Sequence, residues 1–294
     1  MNISRTQQKI FTFLGLVLVF SSIFYYFIIS AKSLEAAGGL YVLGLMWSPG
    51  LAGLITQRIF QGSFRGLGWR FGKAKYLLAA YCLPLVYCLI VYGVTWLTGL
   101  GVFPDSTFAQ EILQNYTPGA ASPTLAIVLY VLLMASLGLP SGVLSGLGEE
   151  IGWRGFLVPE LYKITSYRNA MLISGAIWTL WHMPLIFFAD YNLPGVPRWY
   201  AAIMFTLMVM GINFAFGWLR IKSGSIWPAV ILHASHNLFI QTIFTPLTGQ
   251  NQITPYIIDE FGIGMAVIGI AIALVCIKLQ NKLPAPVPDG TAAQ

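Results

Sequence analysis

The chain has 294 residues, of which 57% are hydrophobic and only 9% charged, with a mean hydropathy of +0.73 and a formal net charge of +6. A soluble domain carries roughly 25% charged residues because it must present a wet surface, so this composition excludes that class. Charge-free stretches of 18 or more residues indicate helices that cross about 30 Å of hydrocarbon. Continuous rather than alternating apolar runs exclude a transmembrane β-barrel.

The first apolar run, 10–31, exceeds the roughly 7–15 residues of a secretory signal core, and no A-x-A pattern follows it. It reads as a retained first helix. Further charge-free windows fall at 36–57, 76–104, 112–148, 169–189, 199–219, 223–258 and 261–277. The expected fold is therefore all-α, a polytopic integral membrane protein of about eight transmembrane helices. Pro255, Asp259 and Glu260 mark the boundary between the last two. The expected organisation is helices 1–3 over 1–110, a catalytic group of helices 4–7 over 111–250, helix 8 over 251–283, and a disordered tail over 284–294. Cys82, Cys88 and Cys276 lie in apolar runs with no ligand or disulfide spacing, and read as packing residues.

Charge separates the connections. Fourteen of the 16 basic residues fall on one side, from Arg5 and Lys9 through Arg154, Arg220 and Lys282, leaving only Lys32 and Arg198 opposite. The opposite loops hold Glu35, Asp105, Glu111, Asp190, Asp259 and Glu260. Positive charge stays on the cytoplasmic side, which puts both termini there. Topology accounts for the basic excess, and nucleic acid is not an expected partner; membrane lipid is.

Ionisable groups in membrane helices are costly and each needs a reason. Here they are Glu149 and Glu150 at the end of the fourth window, His182 in the fifth, and His233 and His236 beside Asn237 in the seventh. From the expected helix starts, His182 lies roughly 18 Å and His233 about 10–15 Å from the cytoplasmic side, so both can meet Glu149 in the same half of the bilayer. His233 and Asn237 share a helix face, and Glu150 and Arg154 are spaced for a carboxylate–guanidinium pair. Gly142, Gly146, Gly148, Gly152 and Gly155 provide small-residue spacing for close helix approach. His236 has no evident partner and reads as a packing residue, and Asn213 as interhelical glue.

A carboxylate and an imidazole sharing a water form a general-base pair. A second imidazole and an amide can donate to the oxyanion that develops. A proton-coupled transporter would use the same buried groups as a relay. A non-catalytic immunity factor or scaffold would bind a peptide in the same cavity.

EEIGWR at 149–154, WTLWHMP at 178–184 and HASHN at 233–237 resemble, in order, the three motifs of the CAAX-processing and bacteriocin-immunity family of intramembrane proteases. The resemblance covers roughly 125–245 and implies a glutamate-dependent or metallo-endopeptidase. It implies that Glu149 and His182 activate the water, that His233 and Asn237 form the oxyanion hole, and that Glu150 and Arg154 support Glu149. Many members have Phe where Trp178 stands, a change expected to touch packing alone. If a metal such as zinc is used, Glu149, His182 and His233 are its ligands; the metal-free mechanism is favoured. The implied substrate is a peptide or membrane protein, prenylated for the eukaryotic members, cut near the cytoplasmic face. The expected setting is a bacterial cell membrane.

Overall fold

The computed structural model describes residues 4–286. Helix α1 (Arg5–Ala31) begins at Ser4, whose hydroxyl accepts from the Gln7 amide while the Gln7 side chain accepts from the Ser4 amide. This reciprocal cap satisfies two backbone donors that the helix start leaves open. Next come α2 (Leu40–Gln61), α3 (Ala74–Leu97) and the short α4 (Ser106–Glu111). Then α5 (Pro123–Leu137), capped by Ser122, bends by 42° into α6 (Leu139–Glu150). Pro140, in the first turn of α6, supplies no amide to bond back across the junction.

The helix does not stop at Glu150. It widens to i→i+5 bonding over Ile151–Leu157 and continues as α7 (Val158–Ile164). The two glutamates thus lie in the middle of a long helical run rather than at its end. After α8 (Tyr167–Phe188) and α9 (Arg198–Ser223), α10 (Trp227–Asn237) also widens over Leu238–Phe244, before α11 (Ile263–Lys278). Single wide turns of this kind occur mostly at functional sites.

Among the described residues five helices are long and apolar enough to cross a membrane, six if α5 and the run 139–164 form one broken span. The helix 263–278 is apolar but shorter. The architecture is all-α and polytopic; among the described residues β structure is limited to one bridge, Val102 to Gly249, which pins two connections together.

Helix α9 is central: 67% of its most apolar stretch is buried, against 22% for α1. Close packing rests on glycine. A Cβ on Gly50 would overlap the Gly148 carbonyl and one on Gly152 the Pro49 backbone, which brings α2 against the glutamate helix. Gly142 sits against Ala234 and Gly146 against His233, which brings α10 to its other side. The small residues singled out in the sequence therefore serve two neighbouring helices at once, as close membrane packing requires.

Three of the basic residues counted as loop charges, Lys9, Arg154 and Arg220, are buried. Lys9 pairs with Glu160 at 3.4 Å, and Arg220 donates to the carbonyls of Arg154 and Gly66. Their long side chains turn inward to bond backbone carbonyls and the buried carboxylates of Glu150 and Glu160. Cys88 and Cys276 are buried, Cys82 is half-buried, and all three are unbridged. The Pro284 carbonyl accepts from the Tyr162 hydroxyl at 2.9 Å; residues 287–294 of the expected tail lie outside the described residues.

Candidate active site

Two adjacent i,i+4 pairs leave the wide turn side by side. Trp153 donates its indole N–H to Glu149 Oε2 at 3.3 Å, and Arg154 donates to Glu150 Oε1 at 2.9 Å. Successive helix positions differ by about 100°, so the two carboxylates face different neighbours. Glu149 reaches a cavity, whereas Glu150 and Arg154 are wholly enclosed.

Arg154 is held at both terminal nitrogens. Its second terminal nitrogen donates to Asn213 Oδ1 at 2.9 Å, and the Asn213 amide donates to the Met171 carbonyl and Ser174 hydroxyl. Its planar face lies 3.9 Å from the Trp178 ring and 4.2 Å from that of Phe216. A guanidinium delocalises charge over a plane, so aromatic faces can cover it while its edges hydrogen-bond. Asn213 is interhelical glue, and its partner is the supporting arginine.

Three histidines arrive on two other helices. His182 Nδ1 lies 2.8 Å from the Trp178 carbonyl, which can only accept. Nδ1 therefore carries the proton and Nε2 is left as the acceptor. His233 Nδ1 lies 2.9 Å from Glu150 Oε1, and its Nε2 lies 4.0 Å from Glu149 Oε1. The Asn237 side chain makes no hydrogen bond to another described residue and lines the cavity. The six predicted site residues thus form one cluster from three helical runs, with Glu149, His182, His233 and Asn237 on the wall of a cavity of about 160 Å³ and Glu150 and Arg154 behind. The remaining wall is mostly apolar, including Leu45, Met46, Leu185, Met208, Val209 and Ile212.

Among the described residues, no three His, Cys, Asp or Glu side chains converge as a metal site would require. Glu149, His182 and His233 share the cavity; with Glu149 Oε2 held by two indole donors, His233 Nδ1 by Glu150 and His182 Nδ1 by a carbonyl, the atoms left toward it are Glu149 Oε1 and the two Nε2 atoms.

Trp178 is more than packing, contrary to the expectation for the Phe-to-Trp change: its indole N–H donates to Glu149 Oε2 at 2.9 Å. His236 does have partners. Its Nε2 lies 3.2 Å from Glu260 Oε1 and its Nδ1 bonds the Tyr87 hydroxyl. Glu260 also accepts from Tyr191 and Gln241, and lines the same cavity. Asp259 and Glu260 are buried instead of solvated in a loop. They lie in the connection before α11, where burial and the adjacent Glu260 charge push Asp259 up to about 7. Burial works against ionisation of Glu260 too, but His236, Tyr191 and Gln241 outweigh it and hold its carboxyl below the usual range. No local pattern joins 236 to 260; the intramembrane position of His236 was the one available signal.

Comparison with known proteins meets this geometry. Residues 131–239 match the family described as type II CAAX prenyl endopeptidase Rce1-like. That segment contains all six site residues and Trp178. The chain is also similar to CAAX prenyl protease 2 of Methanococcus maripaludis, with 32% identity over 162 residues, 53% of this chain and 54% of the relative. It therefore spans about half the length of that relative.

Proposed function

We propose, on the match of residues 131–239 to the Rce1-like CAAX prenyl endopeptidase family, that this protein is an intramembrane endopeptidase in which Glu149 and His182 activate a water. The supporting observation is the Glu149 carboxylate itself. Two indoles fix Oε2, and Oε1 is left toward the cavity wall that carries His233.

The water oxygen attacks the peptide carbonyl carbon as its proton passes to Glu149. His182, with Nε2 as its acceptor, holds the second hydrogen and orients the attack. The carbonyl oxygen becomes an oxyanion, stabilised by the Asn237 amide and by Nε2–H of doubly protonated His233 between two carboxylates. Glu149 then returns its proton to the amide nitrogen, the C–N bond breaks, and a carboxylic acid and an amine leave; the acid passes the second water hydrogen to the amine through solvent, giving carboxylate and ammonium. Every step uses side chains of this chain, and none needs a metal ion.

The substrate class follows from the family: a peptide near the C-terminus of a prenylated protein. The apolar wall beside the polar cluster suits a substrate that enters from lipid. With most exposed basic residues on one side, the protein sits in a cell membrane with both termini cytoplasmic.

The test is cleavage of a quenched-fluorescence farnesylated C-a-a-X peptide by detergent-purified protein. Glu149→Gln and His182→Ala should each lower kcat by roughly 10²-fold or more. Full activity in both variants would refute the mechanism. Equal cleavage of the unprenylated peptide would refute the substrate class but leave the chemistry standing.

A further inference from the structure

Trp178 is placed where one aromatic residue touches most of the cluster. Its indole N–H lies 2.9 Å from Glu149 Oε2, its carbonyl accepts from His182, and its ring covers the Arg154 guanidinium. Trp153 donates to the same oxygen from the opposite side in sequence, at 3.3 Å. Two donors converge on one oxygen, while among the described residues the nearest ring nitrogen to the other, His233 Nε2, stays 4.0 Å away.

We propose that Trp178, with Trp153, is a positioning residue that clamps Oε2 of Glu149 so that Oε1 alone faces the cavity as proton acceptor. The proposal deepens the endopeptidase reading and rests on it for its kinetic consequence. A carboxylate left free would rotate about its terminal bond, a broad torsion with no staggered well to hold it. Either oxygen could then turn to His233, whose Nε2 lies 4.0 Å away. A carboxylate engaged with that imidazole would be lost as a base. Hydrogen bonds to a charged acceptor in a water-poor site are strong enough to prevent this. Although Trp178 lines the cavity, the clamp bonds Glu149 itself, so losing its N–H acts on the chemical step more than on substrate capture.

Phenylalanine at 178 isolates the effect. Trp178→Phe keeps the backbone carbonyl that fixes His182 and an aromatic face for Arg154, and removes only the N–H and part of the ring. Expected for Trp178→Phe is a fall in kcat of roughly ten-fold with KM unchanged. Trp153→Phe, losing the longer bond, should cost two- to three-fold by the same scale, and the double variant more than the product of the two. Trp218→Phe, whose indole bonds the distant Leu279 carbonyl, should leave kcat as it is. A kcat within two-fold of wild type for the Trp178→Phe and double variants, at unchanged melting temperature, would overturn the proposal.

A second readout does not depend on catalysis. The chain has nine tryptophans, and in protein carrying ¹⁵N-indole label the Trp178 signal is the one missing from Trp178→Phe. In Glu149→Ala that signal should move upfield in the proton dimension, as a donor that loses a charged acceptor does, with the Trp218 signal unmoved. A Trp178 signal that stays in place would overturn the clamp. If it moves while no peptide is cut by any form, the clamp stands and the endopeptidase reading fails.

Discussion

Glu150 accepts from Nδ1 of His233 at 2.9 Å on the same oxygen that receives Arg154. This single atom joins the helix of the first motif to that of the third. A ring held at Nδ1 by a carboxylate has its orientation fixed and its other nitrogen directed outward, as in carboxylate–histidine pairs at metal sites. In the proposed mechanism Glu150 and Arg154 would therefore act through His233 as well as through the helix that carries Glu149.

Removing one member of a fully enclosed ion pair leaves an uncompensated charge, which costs about 3–5 kcal/mol. Arg154→Ala should accordingly lower the melting temperature in detergent by about 10 °C, by the usual scaling for a chain of this size. Arg154→Lys should recover little of it, because an ammonium cannot meet Glu150 and Asn213 together while lying flat between Trp178 and Phe216. Thermal unfolding of the two variants, each against wild type, measures both effects. Full recovery by lysine would show that charge alone suffices.

His233 and Asn237 are one helical turn apart on α10 and share the cavity wall. If both donate to the oxyanion, their loss acts mainly on the transition state. His233→Ala and Asn237→Ala should each lower kcat by roughly 10²–10³-fold with a small change in KM. His233→Ala should also reduce stability, since it strips a partner from Glu150, whereas Asn237→Ala should not, because that amide bonds no other described residue. Steady-state kinetics and melting curves on the same preparations separate the two.

The helical runs and most of the cluster were legible in the sequence because membrane insertion writes them there. Charge-free windows located the helices, and Glu150 and Arg154 carried their contact in their spacing. The break before Pro140 was also marked, by Gly138 and the proline itself, yet the 112–148 window alone could not show where one helix gives way to another. Other features needed the tertiary structure. Trp178 and Glu149 are 29 residues apart on different helices, and an indole reads as apolar until its N–H direction is known. Arg220 reads as a loop cation because its position at a helix end says nothing about whether it folds back inward.

Chelation gives a further test. Glu149, His182 and His233 line one cavity without gathering around a common point, and the proposed mechanism uses none of them as a ligand. Incubation with a strong zinc chelator followed by gel filtration should leave cleavage of the farnesylated peptide within two-fold of the untreated enzyme. Loss of activity restored by added zinc would mean that the three side chains rearrange around an ion, and the water-activating role would pass from Glu149 to the metal.

The last prediction concerns Asp259, which lies outside the catalytic cluster. Its folded-state value is pushed up to about 7 from an ordinary 3.8 by burial and by the charge of Glu260, while Thr245 and the Glu260 amide hydrogen-bond to its oxygens. A carboxyl with a raised folded value binds its proton more tightly folded than unfolded. The stability it contributes is fully present below about pH 4, declines as pH rises toward 7, and is gone above that. Asn keeps the shape without the charge, and suits the left-handed backbone at this position, where φ is +65°. Asp259→Asn should therefore match wild type in melting temperature near pH 4 and exceed it by about 5 °C or more at pH 8. A difference that is constant across this range would mean that Asp259 titrates alike in both states, and that Glu260 does not share its charge.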